Sequence, residues 1–246
     1  MNLIKAYSRR LLDCIYPRRC PVCHGILQAK DGSCCLICRE KIQPITEPRC
    51  KICSKNLYNE QEEYCYDCNS KPHHFDQGLG IFPYDIVMKE SLMKFKYHGR
   101  KEYGQFYGKM AVLHGGKWIH DWDPQVILPV PIHKKRYRKR GYNQAEVIAV
   151  RIGKYMGIPV RSDVICRTQD TAPQKELNRK QRKKNLEEAF GICEGQEAGE
   201  TLPWESVLIV DDIYTTGSTI DSISKKLKRR GVKHVYFLTI CIGEGY

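Results

Sequence analysis

Thirteen residues near the carboxyl terminus, VLIVDDIYTTGST from Val207 to Thr219, set an apolar run against two adjacent carboxylates and then four aliphatic hydroxyls around one glycine. If a helix begins here, the amides of Thr215 through Thr219 and the hydroxyls of Thr215, Thr216, Ser218 and Thr219 are suited to hold a phosphate, and Gly217 lets the chain wrap closely around it. Asp211 and Asp212 would repel that phosphate by themselves. They are expected to accept hydrogen bonds from sugar hydroxyls, or to face an intervening cation, while the amides face the phosphate. A sugar phosphate satisfies both halves.

A second constellation lies at the other end of the chain. Ten of the 13 cysteines precede residue 69, and eight of them form four CxxC pairs: Cys20 and Cys23, Cys35 and Cys38, Cys50 and Cys53, Cys65 and Cys68. Eleven residues separate each pair from the next. A CxxC on a tight turn aims two thiolates at one tetrahedral ion, so four such turns make two four-thiolate sites. Zinc is expected at both, in a structural role. An iron–sulfur cluster and a redox CxxC are the other chemistries that cysteines support, although the latter does not need four evenly spaced copies. Sequential pairing gives two consecutive zinc ribbons; spacing alone leaves a cross-brace open. Cys14, Cys34, Cys166, Cys193 and Cys241 fit neither set and are expected as small buried or half-buried thiols, with Cys34 able to compete locally with Cys35. This segment has too few large aliphatic residues to fold on apolar burial alone, so metal must supply much of its stability.

The chain has 246 residues, with 41 Lys and Arg against 28 Asp and Glu, a formal charge of +13. That balance suits a polyanionic partner. No apolar run approaches the roughly 20 residues of a membrane span, and Arg9 and Arg10 interrupt the N-terminal stretch. Neither a signal peptide nor a span is expected, and the cysteine usage then reads as metal binding in a cytoplasmic protein.

The positioning elements can be read next. Residues 1–17 are expected as an N-terminal helix, 18–72 as the double zinc ribbon, and 79–246 as an α/β domain. Lys71, Pro72, His73 and His74 lie at the boundary and are expected as a solvated linker. VILPV at 126–130 has the pattern of a buried strand, followed by a basic loop. In the helix that comes after it, Ala145, Ile148, Ala149, Ile152 and Met156 fall on one face, and Gly157 ends it. A strand at 207–210, a helix at 219–230 and a strand at 234–242 form a βαβ unit, which requires a parallel sheet. The acid and hydroxyl run then sits at the carboxyl end of a central strand, where open α/β sheets bind ligands.

VLIVDDIYTTGST resembles the phosphoribosyl pyrophosphate signature of type I phosphoribosyltransferases. Together with LMKFKYHGRKEYG at 92–104, PVPIHKKRYRKRGYNQAE at 129–146, TAPQKELNRKQRKKNLEEAF at 171–190 and the CxxC-rich N-terminus, it makes the chain resemble the ComF family, in its ComFC and GntX-like forms. The resemblance implies a type I phosphoribosyltransferase fold, a parallel sheet flanked by helices, behind the zinc-ribbon module. It implies that Asp211 and Asp212 bind the ribose 2′ and 3′ hydroxyls of phosphoribosyl pyrophosphate carried with Mg2+, and that Thr215, Thr216, Gly217, Ser218 and Thr219 bind the 5′-phosphate. The pyrophosphate loop falls at Val130 to Arg136, with Arg140, Asn143 and Gln144 in a following family block.

Lys96, Arg100, Lys134, Lys135, Arg136 and Arg140 are expected to reach the pyrophosphate, or to form solvated basic faces. The polar segment 166–190, with Arg167, Lys175, Arg179, Arg182, Lys183 and Lys184, matches a mobile loop that closes over a reaction. The same residues would equally track single-stranded DNA, with Tyr97, Tyr137 and Tyr142 stacking bases. By resemblance the role is DNA uptake in natural transformation, beside a helicase-like ATPase of the ComFA kind. The alternatives are an active phosphoribosyltransferase of nucleotide metabolism and a GntX-like metabolic role.

Overall fold

A computed structural model describes residues 17–28, 31–168, 189–193 and 201–243. The expected N-terminal helix falls on residues 1–17, of which 1–16 lie outside the described residues.

In chain order the elements are α1 (Leu36–Lys41), α2 (Tyr66–Ser70), β1 (Gln77–Pro83), α3 (Ile86–Tyr97), α4 (Gly104–Trp122), β2 (Val126–Pro129), α5 (Lys134–Arg140), α6 (Gln144–Met156), β3 (Ile165–Arg167), β4 (Phe190–Ile192), β5 (Ser206–Tyr214), α7 (Ser218–Arg229) and β6 (His234–Ile242). Four strands make one sheet in the order β1-β6-β5-β2, every neighbouring pair parallel. β3 and β4 pair antiparallel as a separate ribbon. The parallel sheet flanked by helices is therefore present as expected.

Both faces of the sheet are covered, which explains why its strands are almost uninterrupted apolar runs. Leu208 and Val210 of β5 and Leu238 and Ile240 of β6 face one core, built with Met88, Leu92 and Phe95 of α3, Tyr107 of α4 and Ile148 and Ile152 of α6. Val207, Ile209, Val235 and Phe237 face the other, against Ile220, Ile223 and Leu227 of α7. Each of these strand side chains is fully buried, worth roughly 1.5 to 3 kcal/mol apiece. The alternation follows from the two-residue period of a strand.

The cysteine-rich segment straddles the β1 edge of this sheet. Cys20, Val22, Cys38 and Ile42 belong to the first core, and Cys50, Cys53, Leu57, Cys65 and Cys68 to the second. Between them the chain hydrogen-bonds along β1: Ile45 N–H donates to Ile81 O at 2.9 Å, Gly78 N–H to Ile52 O at 2.7 Å, and Gly80 N–H to Ser54 Oγ at 2.6 Å. The opposite edge is closed by Pro159 to Arg161, which exchange backbone bonds with Ile127 of β2. Neither edge is left as a template for another strand.

Two expectations of local structure change. The basic run after β2 folds as a helix, α5, capped by His133 Nδ1 accepting from Lys135 N–H and stopped by Gly141 in the left-handed region. The strand expected at 207–210 continues to Tyr214, so both carboxylates lie within it.

Candidate functional site

β5 lies between β6 and β2, and its carboxyl end carries the acids. Strand alternation separates them. Asp212 is on the α3 side and meets Lys96 Nζ at 2.8 Å. Asp211 turns to the opposite side, where Arg167 of β3 is among the cations acting on it, and it accepts the Asp212 N–H at 2.8 Å. Burial, reinforced by the Asp212 carboxylate, pushes the Asp211 pKa up to about 8. For Lys96, burial works toward a lower pKa, but Asp212 outweighs it and the ammonium is held charged. A proton-holding Asp211 can donate as well as accept, which suits it to hydrogen-bonding neighbouring hydroxyls.

Thr215 and Thr216 are exposed, and Ser218 and Thr219 half-buried, at the start of the 12-residue α7. Thr216 Oγ1 and Ser218 Oγ are 2.9 Å apart. The residue before the helix is Gly217, with φ +74° and no side chain to cap the first turn, so those amides are left for a ligand. A β-carbon at Gly217 would sit 2.3 Å from Tyr214 Oη. Glycine is required here on both counts.

The basic residues divide. Lys96 is committed to Asp212 rather than free for a phosphate. Arg100 contacts His24 Nε2 at 3.4 Å and Glu102 Oε1 at 3.5 Å, facing the first ribbon. Lys134 and Lys135 are exposed in the first turn of α5, and Arg136 is half-buried. Arg140 lies 5.1 Å from the Tyr97 ring centroid and donates to Gln144 Oε1, and burial lowers its pKa.

The remaining residues of that block are structural. Asn143 Oδ1 accepts the Ala145 N–H at 3.2 Å to cap α6, while its Nδ2 donates to Val130 O at 2.9 Å. Tyr142 donates to Phe95 O and is 5% exposed, so the expectation that it stacks a base is corrected. Tyr97 and Tyr137 are exposed. Arg167 lies over the Phe190 ring at 5.2 Å. Lys175, Arg179, Arg182, Lys183 and Lys184 lie outside the described residues.

The eight cysteines come together sequentially: Cys20, Cys23, Cys35 and Cys38 in one group, and Cys50, Cys53, Cys65 and Cys68 in the other, the sulfurs of each within 4.8 Å of one another. Cys23 and Cys35 are separated by 3.8 Å, and Cys53 and Cys65 by 3.6 Å. A tetrahedral ion with Zn–S of ~2.3 Å sets its sulfurs ~3.8 Å apart, so both groups fit zinc. Cys34 is buried with its sulfur 3.7 Å from Cys20, beside the first group, while Cys35 completes that group.

Sequence reasoning missed a set of contacts behind the Thr215–Thr219 loop. Lys71, Pro72 and His74 are exposed as expected of a solvated linker, but His73 is not, and both histidines are tied to Asp221. The His73 side chain is buried, stacked on Phe75 at 4.5 Å, with Nδ1 3.6 Å from Asp221 Oδ1. His74 donates its N–H to Asp221 Oδ1 at 2.6 Å, and its Nδ1 lies 3.2 Å from Oδ2. Burial would raise the Asp221 pKa, but the two histidines outweigh it and hold it at about 2. Lys55, which nothing in the sequence singles out, is 2% exposed and paired with Asp67 at 2.7 Å. Two adjacent histidines were the only visible signal.

Residues 11–69 match the double zinc ribbon domain family. The chain is 28% identical to Competence protein F of Haemophilus influenzae over 220 residues, 88% of this chain and 93% of that one. It is 28% identical to Competence protein ComFC of Streptococcus pneumoniae, over 85% and 88% of the two chains. The same identity links it to the DNA utilization protein YhgH of Escherichia coli K12, over 72% and 77%. Among solved structures, a purine phosphoribosyltransferase from Pyrococcus horikoshii aligns over 56% of this chain and 73% of that one, at 18% identity and a TM-score of 0.35.

Proposed function

We propose that this homologue of the ComF-type competence proteins binds phosphoribosyl pyrophosphate with Mg2+ at the end of β5 and single-stranded DNA on its basic surface, in cytoplasmic DNA uptake. The observation that carries the reading is the junction of β5 and α7. Asp211 and Asp212 close a central parallel strand, and an uncapped 12-residue helix starts six residues after Asp212 behind an obligatory glycine. The acids are placed for ribose hydroxyls and the helix start for the 5′-phosphate. Because Lys96 already meets Asp212, Mg2+ would enter on the pyrophosphate oxygens, its usual ligands.

Binding, rather than base salvage, is favoured by what occupies the β1 edge. The double ribbon packs along it, the first half in one core and the second half in the other, and takes the space where a base-reading hood would sit. Calorimetry with phosphoribosyl pyrophosphate and Mg2+ tests the site. Asp211→Asn with Asp212→Asn should abolish the binding heat, and unchanged heat would remove the assignment. Asp212→Ala alone should also destabilise the protein by about 3 kcal/mol, since it strands a mostly buried ammonium. Adding Lys96→Met should recover most of that loss in urea melts. Turnover with any free purine or pyrimidine would overturn the preference for binding over catalysis.

For DNA, α5 presents Lys134, Lys135, Arg138 and Lys139 with Tyr137 and Tyr97 exposed beside them. Cations tracking phosphates, interleaved with aromatics for stacking, suit a single strand. Lys134→Gln with Lys135→Gln should reduce the slope of log affinity against log salt by about 1.4. A slope that does not move excludes α5 from the DNA path. Partnership with a helicase-like ATPase of the ComFA kind belongs to the same reading and is tested by co-purification.

A further inference from the structure

The second ribbon is built against the back of the phosphate loop, and the first is not. Tyr214, the last residue of β5, shares the core of Cys50, Cys53, Cys65 and Cys68. Its ring stacks flat on Phe237 at 4.7 Å and meets Phe75 edge-on at 6.3 Å. The Lys55 ammonium, held by Asp67 within the ribbon, lies 6.0 Å from the same ring. Tyr214 Oη also fills the space that a side chain at Gly217 would need. The chain leaving the ribbon then crosses to the loop and the first turns of α7: Lys71 Nζ reaches Thr216 O at 3.5 Å, and His73 and His74 hold Asp221.

We infer that the second ribbon, through Tyr214 and the Lys71–His74 strap, positions the phosphate loop, so that metal binding at Cys50, Cys53, Cys65 and Cys68 and anion binding at Thr215–Thr219 are thermodynamically coupled. The inference rests on the phosphate reading of that loop. Its physical basis is that a four-thiolate ion fixes the knuckle carrying Lys55 and the helix α2 from which the strap leaves. Without it, the packing behind Tyr214 and the anchor of the strap both loosen. His73 and Tyr214 are positioning residues: they touch the loop or its helix, not the ligand. Coupling is reciprocal, so the anion also holds the metal.

Hydrogen–deuterium exchange of the full chain, followed across 211–223, tests this with and without phosphoribosyl pyrophosphate and Mg2+. His73→Ala, with two zinc equivalents retained, should raise exchange at 215–223 and weaken phosphoribosyl pyrophosphate binding ~10-fold, within the usual range of coupling factors. His73→Gln, which keeps a polar side chain beside Asp221, should restore part of both. Cys68→Ser should raise exchange in the same stretch, and Cys38→Ser, in the first ribbon, should not. Should a cysteine variant unfold, His73→Ala alone decides. Exchange at 215–223 that is unchanged in His73→Ala, or raised equally by Cys38→Ser, overturns the coupling. An absence of any binding heat in the unaltered protein would instead defeat the phosphoribosyl pyrophosphate reading, while the exchange of His73→Ala still judges the strap.

Discussion

The two ribbons repeat one backbone, each cysteine of the first recurring 30 positions later in the second. Cys20 O and Cys50 O each accept from the residue after the next cysteine, His24 and Ser54, at 2.9 Å, and both of those residues have positive φ. What differs is what the equivalent positions touch. His24 bonds to Tyr103 Oη and contacts Arg100, and Ser91 Oγ donates to Pro21 O, all on the α3–α4 side. Ser54 holds β1, Lys55 reaches under Tyr214, and the strap anchors α7. One four-cysteine unit, used twice, covers opposite faces of the sheet. Among the described residues, only the second copy reaches the candidate binding loop.

That contrast can be broken most severely by taking the metal away. Structural zinc contributes on the order of 10 kcal/mol or more in small modules, so a strong chelator should melt residues 17–70 and uncover the β1 edge. Circular dichroism and a fall in Tm would show it; a chelated protein that keeps its ribbons folded contradicts the structural role. The next effect separates the copies. Asp67→Ala strands the buried Lys55 ammonium and should cost about 3 to 5 kcal/mol in urea unfolding. Gly25, the first ribbon's counterpart of Lys55, has no charge to strand.

A smaller effect is read by pH. Asp221 has a folded pKa of about 2 against an ordinary 3.8. Its stabilisation is present above pH ~4 and lost as pH falls through about 2, on the order of 2 kcal/mol. His73→Ala should shrink that acid-limb loss. Asp211 runs the other way: with a folded pKa of about 8, its contribution is complete below the ordinary value and is lost as pH rises through about 8. Asp211→Asn should therefore flatten the decline in urea midpoint between pH 5 and pH 9. A decline that persists in the variant would place its origin elsewhere.

Much of this was legible in the residues. The even CxxC spacing gave two four-thiolate sites, because each tetrahedral site needs two such turns, but it left their pairing open, and the fold pairs them sequentially. The apolar runs before the acids and at 234–242 gave the parallel strands, because a sheet covered on both faces needs apolar side chains at every position. The failures have one cause in common, contacts between residues far apart in sequence. Seven residues dominated by like charges, Lys134 to Arg140, read as a loop, yet Arg140 finds Tyr97 and Gln144, and His133 and Gly141 cap both ends. His73 reads as solvated, and the tie of both histidines goes unseen, because nothing nearby in the chain reveals Asp221, nearly 150 residues away. Tyr142 reads as a base-stacking aromatic because a buried hydroxyl donating to Phe95 O leaves no local mark.

The most direct test of the account follows the rate at which each of the two zinc equivalents is lost to a chromogenic chelator, with and without phosphoribosyl pyrophosphate and Mg2+. Cys38→Ser and Cys68→Ser identify which phase belongs to which ribbon. The account predicts that the ligand slows loss from the second ribbon ~10-fold and leaves the first unchanged. Two phases slowed alike, or neither slowed at a concentration that saturates the calorimetric binding, would contradict it.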